Sequence, residues 1–504
     1  MTGNDDLFQL IQSMSKSEKR YFKLDAQKST SKGGKNKYVQ LFDAINSMEE
    51  YDEAKLKKKA FVKHLSVEKG ELYRKILRSM RSFRSDKSVY AQIKEMILDA
   101  NYLIELGLVA QAEKMLKKAK NLAYQVEHHL AILEINQEER YIARITRSKD
   151  YETEISALID ENTKILSFIN EEMEILSTHD QIFNLVLQKY HLKGEKSKAI
   201  LDEKFSNLSG EDKLIQSPRA QLRFFKSKGH YHSLLRNFEK LSLYCQKIID
   251  WWEKYPKVKN EEFGRFLGDF SNLITAYFME ERYEELPELL DQLTISDQHN
   301  FHVKSTLFYF SSLHNLLYCM NTCRFEEAKA LVPDIEKGFK IYLINEAEKL
   351  NLSANISSLF FVSEAYQDGI PWLERVLKNR KTRNRQDIQQ SFRLLKIISL
   401  FELGEIDQLE NELRATSRYF QKHTDLQQEN YESIAFNTLK KICASDLQQQ
   451  KKLLQELNQS LQQLSEKPNE KRSVGFEELL LWVQSRLSKQ SIIQFMETRG
   501  NCKD

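Results

Sequence analysis

Two runs of polar side chains recur at helical spacing in the middle of the chain, and their residue types suit recognition of an acidic partner. Gln188 and His191 belong to the first run, and Arg223, Lys226 and His230 to the second. Steps of three and four residues place each run on one face of a helix. If the two helices lie side by side, these residues line a groove of cationic character. Such a groove suits an acidic peptide or a carboxylate terminus.

The residue patterns of common catalytic and metal sites are missing from the sequence. It contains no Gly-x-Ser-x-Gly turn, no His-Glu-x-x-His pair and no Cys-x-x-Cys pair. Cys319 and Cys323, with His314 nearby, have a spacing that a metal ion could use, but buried cysteines more often act as small apolar side chains. We therefore expect neither enzymatic activity nor a bound metal or cofactor.

Residues 305–323 form a stretch of 19 residues without a formal charge, about the length of a membrane-spanning helix. The stretch contains eight polar side chains, among them His314 and Asn315, which are costly in hydrocarbon. No basic flank sets a membrane orientation. A helix that is apolar nearly all round is more simply one that protein buries on several sides. We expect no membrane association.

The composition of the chain indicates a helical globular protein. Hydrophobic residues make up 41% and charged residues 30% of the 504 positions, and only 6 prolines and 15 glycines are present. Scarce turn-forming residues favour long helices, and no run alternates in the manner of a β-strand. The sequence shows no secretory signal, and five cysteines are too few for a disulfide framework. We expect a cytoplasmic protein.

A repeated pattern of apolar residues runs through the middle of the chain. In CRFEEAKALVPDI, residues 323–335, the apolar side chains follow Phe325 in steps of three, four and three, which predicts a helix after a polar turn. The pattern begins at eight anchor residues: Val109, Tyr151, Lys196, Phe238, Tyr283, Phe325, Ile370 and Ile406. The intervals between them are 42, 45, 42, 45, 42, 45 and 36 residues. Such a period predicts stacked helical hairpins, with an anchor opening each second helix.

This array resembles the tetratricopeptide repeat, whose helix pairs carry a glycine before a bulky turn residue and a small residue three positions further on. The segments Gly107–Ala112 and Arg324–Ala328 fit that pattern. The resemblance covers about residues 90–420 and implies an all-α fold with a right-handed superhelical array of hairpins. The period near 43 is longer than the standard 34 and comparable to that of HEAT-like units, so both kinds of hairpin remain open.

The two ends of the chain do not keep the period, which gives three predicted domains. These are a basic helical domain at 1–88, the repeat array at 89–420 and a C-terminal extension at 421–504. The first contains a capping box at Ser15 and Glu18, and we expect further helices at 38–48, 53–65 and 68–84. The last contains a long helix with the leucine seam Leu447, Leu454, Leu457, Leu461 and Leu464, an exposed linker at 465–473 and a helix at 475–487 that covers the last open core.

The function that the resemblance implies is a non-catalytic scaffold that binds a protein or peptide partner on its concave face. The candidate contacts are those of the polar runs, Gln188, His191, Arg223, Lys226 and His230. Changing Arg223 and Lys226 to glutamate is expected to abolish partner capture while leaving the melting temperature nearly unchanged.

The alternative function is a nucleic-acid-binding regulator with a basic head and a repeat domain that senses a ligand. Residues 1–88 carry 20 Lys and Arg against 12 Asp and Glu. The candidate phosphate contacts are Lys57, Lys58, Lys59, Arg74, Arg78 and Arg81. Acidic neighbours such as Asp52 and Glu71 fit a simple solvated face instead.

Overall fold

The computed structural model of the chain describes residues 5–28, 36–85, 88–147, 149–187, 214–295, 300–379, 385–423, 431–465 and 474–498, with the single positions 201, 205, 208 and 382. All regular secondary structure in these ranges is helical, and no β-strand occurs in them. The predicted all-α class is therefore confirmed. The chain divides into two compact units, Met1–Glu280 with Asp297–Val303, and Glu281–Ser296 with Lys304–Asp504.

The first unit begins with a small helical head that has its own apolar core. Its helices are α1 (Asp6–Ser13), α2 (Lys16–Lys28), α3 (Lys37–Asn46), α4 (Glu53–Lys57) and α5 (Leu65–Ser85). Phe22, Phe42 and Ile76 are buried at the centre of this core. The backbone N–H of Ser15 donates to the Glu18 carboxylate at 2.7 Å, and the N–H of Glu18 donates to Ser15 Oγ at 3.2 Å, which confirms the capping box.

Two of the three further helices predicted for the head are confirmed, and the third is shorter than predicted. The helices expected at 38–48 and 68–84 correspond to α3 and α5, whereas the helix expected at 53–65 stops after Lys57. Residues 58–64 form turns instead, with His64 leading into α5. Helix α1 was not expected from the sequence.

Helices pack mainly against their neighbours in sequence through the rest of the first unit. They are α6 (Val89–Glu105), α7 (Val109–Gln125), α8 (His129–Thr146), α9 (Tyr151–Leu187), α10 (Pro218–Leu234), α11 (Phe238–Lys254), α12 (Pro256–Glu261) and α13 (Phe263–Met279). Three of the anchors, Val109, Tyr151 and Phe238, are the first residues of α7, α9 and α11. The anchor Lys196 lies outside the described residues.

Helix α9 departs from the predicted hairpins. It continues for 37 residues without a break, so it combines the second helix of one predicted hairpin with residues assigned to the first helix of the next. The segment contains no glycine or proline that would interrupt a helix. The sequence pattern predicts the start of α9 correctly and misses its length.

The second unit also consists of helices that pack mainly against their neighbours in sequence. A 3₁₀ turn at Tyr283–Glu285 precedes α14 (Leu286–Asp291), α15 (Phe301–Asn321), α16 (Phe325–Ile341), α17 (Glu346–Val362), α18 (Tyr366–Lys378), α19 (Gln386–Leu403), α20 (Ile406–His423), α21 (Tyr431–Ile442), α22 (Leu447–Ser465), α23 (Phe476–Ser488) and α24 (Ile492–Thr498). The first three residues of α15 are assigned to the first unit. The anchors Tyr283, Phe325 and Ile406 begin the 3₁₀ turn, α16 and α20.

The anchor Ile370 was placed in the wrong register. Helix α18 begins at Tyr366, four residues earlier, and its buried face contains Tyr366, Gly369, Leu373 and Val376. With this start the last two intervals between second helices become 41 and 40 residues in place of 45 and 36. The corrected interval is more regular than the predicted one.

The uncharged stretch forms most of α15. From Val303 to Met320 this helix has no exposed side chain, so protein covers it on several sides as expected. His314 is 1% exposed, and burial lowers its pKa to about 4. No helix in the described part of the chain is long and apolar enough to cross a membrane.

The C-terminal helices complete the core of the second unit. Leu457, Leu461 and Leu464 are buried on α22, but Leu447 is 84% exposed and does not belong to the seam. Helix α23 packs against α22 and also reaches back to α17 and α19. Of the predicted linker, residues 466–473 lie outside the described residues.

Candidate functional site

The structure describes only part of the groove predicted from the two polar runs. Gln188 and His191 lie outside the described residues, so only the second run has a known position. Arg223, Lys226 and His230 lie on one face of α10. Ser217 caps this helix by accepting the N–H of Ala220 at 3.3 Å, and Pro218 follows as its first residue.

Lys226 is paired within the fold. Its Nζ lies 2.8 Å from the carboxylate of Asp269 on α13, and Asp269 is 8% exposed. The same carboxylate accepts the indole N–H of Trp252 at 2.8 Å. The positive charge of Lys226 is therefore balanced by a buried acid, and little of it remains for a partner.

His230 contributes an aromatic ring rather than a charge. It packs against His179 and Phe183 of α9, with ring centroids 5.4 and 5.3 Å away. Burial, together with the neighbouring His179 and Lys226, lowers the pKa of His230 to about 4. The ring is thus neutral at pH 7.

Arg223 keeps an uncompensated donor. Its side chain is half-buried, and Nη1 is shielded from solvent without a hydrogen-bond partner among the described residues. A buried donor without a partner costs free energy, which Arg223 would recover if its side chain turned toward an acceptor. Burial lowers the pKa of His179, and the nearby guanidinium of Arg223 adds a small further decrease. Burial raises the pKa of Glu172, but hydrogen bonds from His129 and Ser217 prevail and lower it, with a small contribution from Arg223.

The structure therefore brings together an aromatic cluster beside one guanidinium, where the sequence predicted a cationic groove. We call His179, Phe183, Arg223 and His230 the α9–α10 cluster. Phe183 is 40% exposed, so the cluster offers a ring face at the surface. His179 and Phe183 are four residues apart, so they lie on one face of a helix, and the sequence could have identified them as neighbours by this spacing. No such spacing in the sequence relates Asp269 to Lys226.

A second set of polar residues joins helix ends that are distant in sequence. Arg219 donates to the Glu262 carboxylate at 2.7 Å, to Tyr90 Oη at 2.6 Å and to the carbonyl of Val126 at 2.8 Å. Arg219 is the charge that most lowers the pKa of Glu262, against an opposing effect of burial. These bonds tie the N-termini of α6, α10 and α13 together.

His129 stands beside this set, at the start of α8, with an acid on each ring nitrogen. Nδ1 lies 2.7 Å from Glu172 and Nε2 3.2 Å from Glu127. Burial opposes protonation, but the hydrogen bonds to both carboxylates prevail and raise the pKa of His129 to about 9. The charged ring is 4% exposed, so this arrangement holds the fold and does not face a ligand.

The basic residues proposed for nucleic acid lie on the surface of the head. Arg74, Arg78 and Arg81 are exposed on one face of α5, and Lys57, Lys58 and Lys59 are exposed around the end of α4. Lys57 pairs with Glu53 at 2.8 Å. The other five form no ion pair with any described residue, so their charges face solvent.

Helices α17 and α19 of the second unit contact α23. Ser358 of α17 donates to Glu478 of α23 at 2.6 Å, and Trp482 of α23 donates to Glu402 of α19 at 2.8 Å. Trp482 is almost completely buried. A partner that binds the faces of α17 and α19 would have to displace this core helix.

Within the described ranges no group of three His, Cys, Asp or Glu side chains is arranged to hold a metal ion. Cys319, one of the two cysteines with metal-like spacing, is a buried free thiol, and burial raises its pKa. No protein-family model matches the chain, and neither a curated protein nor a solved structure matches it significantly.

Proposed function

We propose that the protein is a non-catalytic scaffold that binds a protein or peptide partner through an array of helical hairpins of the tetratricopeptide type. One observation carries the proposal. Six of the eight anchors are the first residues of helical segments, and the second helices of the second unit begin at nearly equal intervals. Equal hairpins stacked in sequence wind into a superhelix and expose a long surface whose usual role is to bind another chain.

The partner surface that we propose is the α9–α10 cluster. Ring faces at His179, Phe183 and His230 suit an apolar or aromatic side chain, and the half-buried guanidinium of Arg223 suits one carboxylate. The preferred partner is thus a peptide with an aromatic residue next to an acid. Lys226 is left out of the contact set because Asp269 already occupies its charge.

Affinity capture from the native cell, followed by mass spectrometry, tests this proposal. We would compare wild type with Arg223→Glu and Phe183→Ser and use Lys240→Glu as a control, since Lys240 is exposed on α11 and forms no ion pair with described residues. A partner that is lost from both cluster variants and retained by the control supports the proposal. A partner retained by all three variants places the contact elsewhere.

A second candidate function is nucleic-acid binding by the head. It is favoured by the exposed charges of Lys58, Lys59, Arg78 and Arg81, which form no ion pair with described residues. Binding through phosphates weakens steeply as salt rises, because it releases condensed counterions. We would titrate the full chain with duplex DNA at several salt concentrations and compare Arg78→Glu/Arg81→Glu with Lys117→Glu/Lys118→Glu, an equal charge change at exposed positions of α7. Equal DNA affinity for the two double variants would remove this candidate.

A further inference from the structure

A cavity of about 540 Å³ lies between α16, α17 and α18 in the second unit. It is formed by the C-terminal half of α16, the N-terminal half of α17 and the C-terminal part of α18, and so is separate from the α9–α10 cluster. Its volume falls in the range of sites for small organic molecules.

The floor of the cavity is apolar and includes an aromatic ring. Phe339, Leu350 and Pro371 line it. Trp372 lies next to this floor, with its ring centroid 6.3 Å from that of Phe339 in an edge-on arrangement. A flat apolar group could therefore be covered by side chains that are already held in place by the core.

The mouth of the cavity is charged, and most of its charges are paired. Arg375 pairs with Glu336, Lys349 lies 3.5 Å from Glu346, and Lys378 lies 2.7 Å from Glu374. Lys340 also lines the mouth and is exposed, and it forms no ion pair with any residue that the structure describes. Within the described ranges, the charge of Lys340 is therefore left without an acidic partner beside an apolar floor.

We propose that this cavity binds a small apolar molecule that carries a single carboxylate, with its apolar body on Phe339 and Leu350 and its carboxylate at Lys340. A monoanion fits better than a phosphate, because only Lys340 of the cations at the mouth has no acidic partner among the described residues. This site goes beyond the proposed scaffold function and does not depend on it.

The probes for the test are 2-naphthoate and its neutral analogue 2-naphthamide, titrated into the full chain. Binding is followed by saturation-transfer NMR and by tryptophan fluorescence, because Trp372 touches the floor and its ring lies 4.3 Å from the guanidinium of Arg375. Lys340→Glu should weaken naphthoate about tenfold, since an attraction becomes a repulsion, and should leave naphthamide nearly unaffected. Leu350→Ser should weaken both probes.

Lys337→Glu is the matched control, because Lys337 lies on the same helix, is 71% exposed, and pairs with Asp334 outside the cavity. It should change naphthoate affinity less than about twofold. Thermal melting checks that each variant is folded, and Trp372→Phe should remove the fluorescence response while retaining the NMR signal. Equal naphthoate affinity in Lys340→Glu and Lys337→Glu, or no naphthoate binding to wild type, would overturn the proposal.

Discussion

Val89 donates its backbone N–H to the carboxylate of Glu261 at 2.8 Å, although 172 residues of chain separate the two. The same carboxylate accepts the hydroxyl of Ser88, the N-cap of α6. A negative charge at a helix N-terminus also interacts favourably with the helix dipole. The C-terminus of α12 thus caps α6.

Removing the Glu261 carboxylate should lower the stability of the first unit. We expect Glu261→Ala to lower the free energy of unfolding by about 1–2 kcal/mol, because two donors at the start of α6 lose their acceptor. Urea unfolding followed by circular dichroism measures the change. Glu253→Ala is the control, since Glu253 is 60% exposed and Lys259 is its ion-pair partner among the described residues. An equal loss in both variants would contradict the assigned role of Glu261.

Gly475 and Gly404 offer a matched pair for a packing test. Both have a positive φ, 76° and 71°, so alanine strains the backbone at either position. A Cβ on Gly475 would lie 2.8 Å from Ser391 Cβ, whereas a Cβ on Gly404 meets nothing within 4 Å. We expect Gly475→Ala to cost about 1–3 kcal/mol more than Gly404→Ala, measured by thermal melting. Equal melting temperatures would show that the contact with Ser391 relaxes freely.

Lys226 should matter for stability as well as for any binding. In Lys226→Glu the buried Asp269 loses its partner and faces a second carboxylate, which we expect to cost about 3–5 kcal/mol. This revises the expectation that reversing Arg223 and Lys226 leaves the melting temperature unchanged. Exchanging the charges, Lys226→Glu with Asp269→Lys, should restore part of the loss. A single variant as stable as wild type would show that the pair contributes nothing.

His129 predicts a dependence of stability on alkaline pH. Its pKa is about 9 in the folded protein and about 6.5 in an unfolded chain, so the folded state binds the extra proton between these values. The contribution is present in full below pH 6.5 and is lost as pH rises through 9, up to about 3 kcal/mol. Wild type should therefore lose stability relative to His129→Gln across that range. Parallel pH profiles for the two proteins would contradict the prediction.

His230 predicts the opposite slope on the acid side. Its pKa of about 4 lies below the unfolded value, so the unfolded chain binds the extra proton between pH 4 and 6.5. Stability should fall as the pH is lowered through this window, and His230→Phe should reduce that loss. The urea midpoints of both proteins at pH 4.5 and pH 7 measure this loss of stability. If the midpoint falls by the same amount in His230→Phe as in wild type, His230 is excluded as the cause.

The sequence predicted where helices begin, because the apolar residues of a single helix are enough to show its buried face. Phe238, Phe325 and Ile406 open helices because apolar residues at steps of three and four repeat behind each of them. It did not predict the acid that pairs with Lys226, since any of the 73 Asp and Glu residues could have done so and only packing brings Asp269 to the lysine. The length of α9 was not predicted either. The repeat pattern placed a turn between two helices in this segment, although the segment contains no glycine or proline that would break a helix.

Helix α23 has a consequence for the order of folding. During synthesis α17 and α19 leave the ribosome before α23 exists, so the surfaces that α23 finally covers are first exposed to water. Those apolar surfaces stay exposed until α23 has been synthesised, unless another protein binds them. The growing chain is therefore prone to aggregation and a candidate for chaperone binding. Contacts between residues so distant in sequence also slow folding, so completion of the second unit should be a late kinetic step.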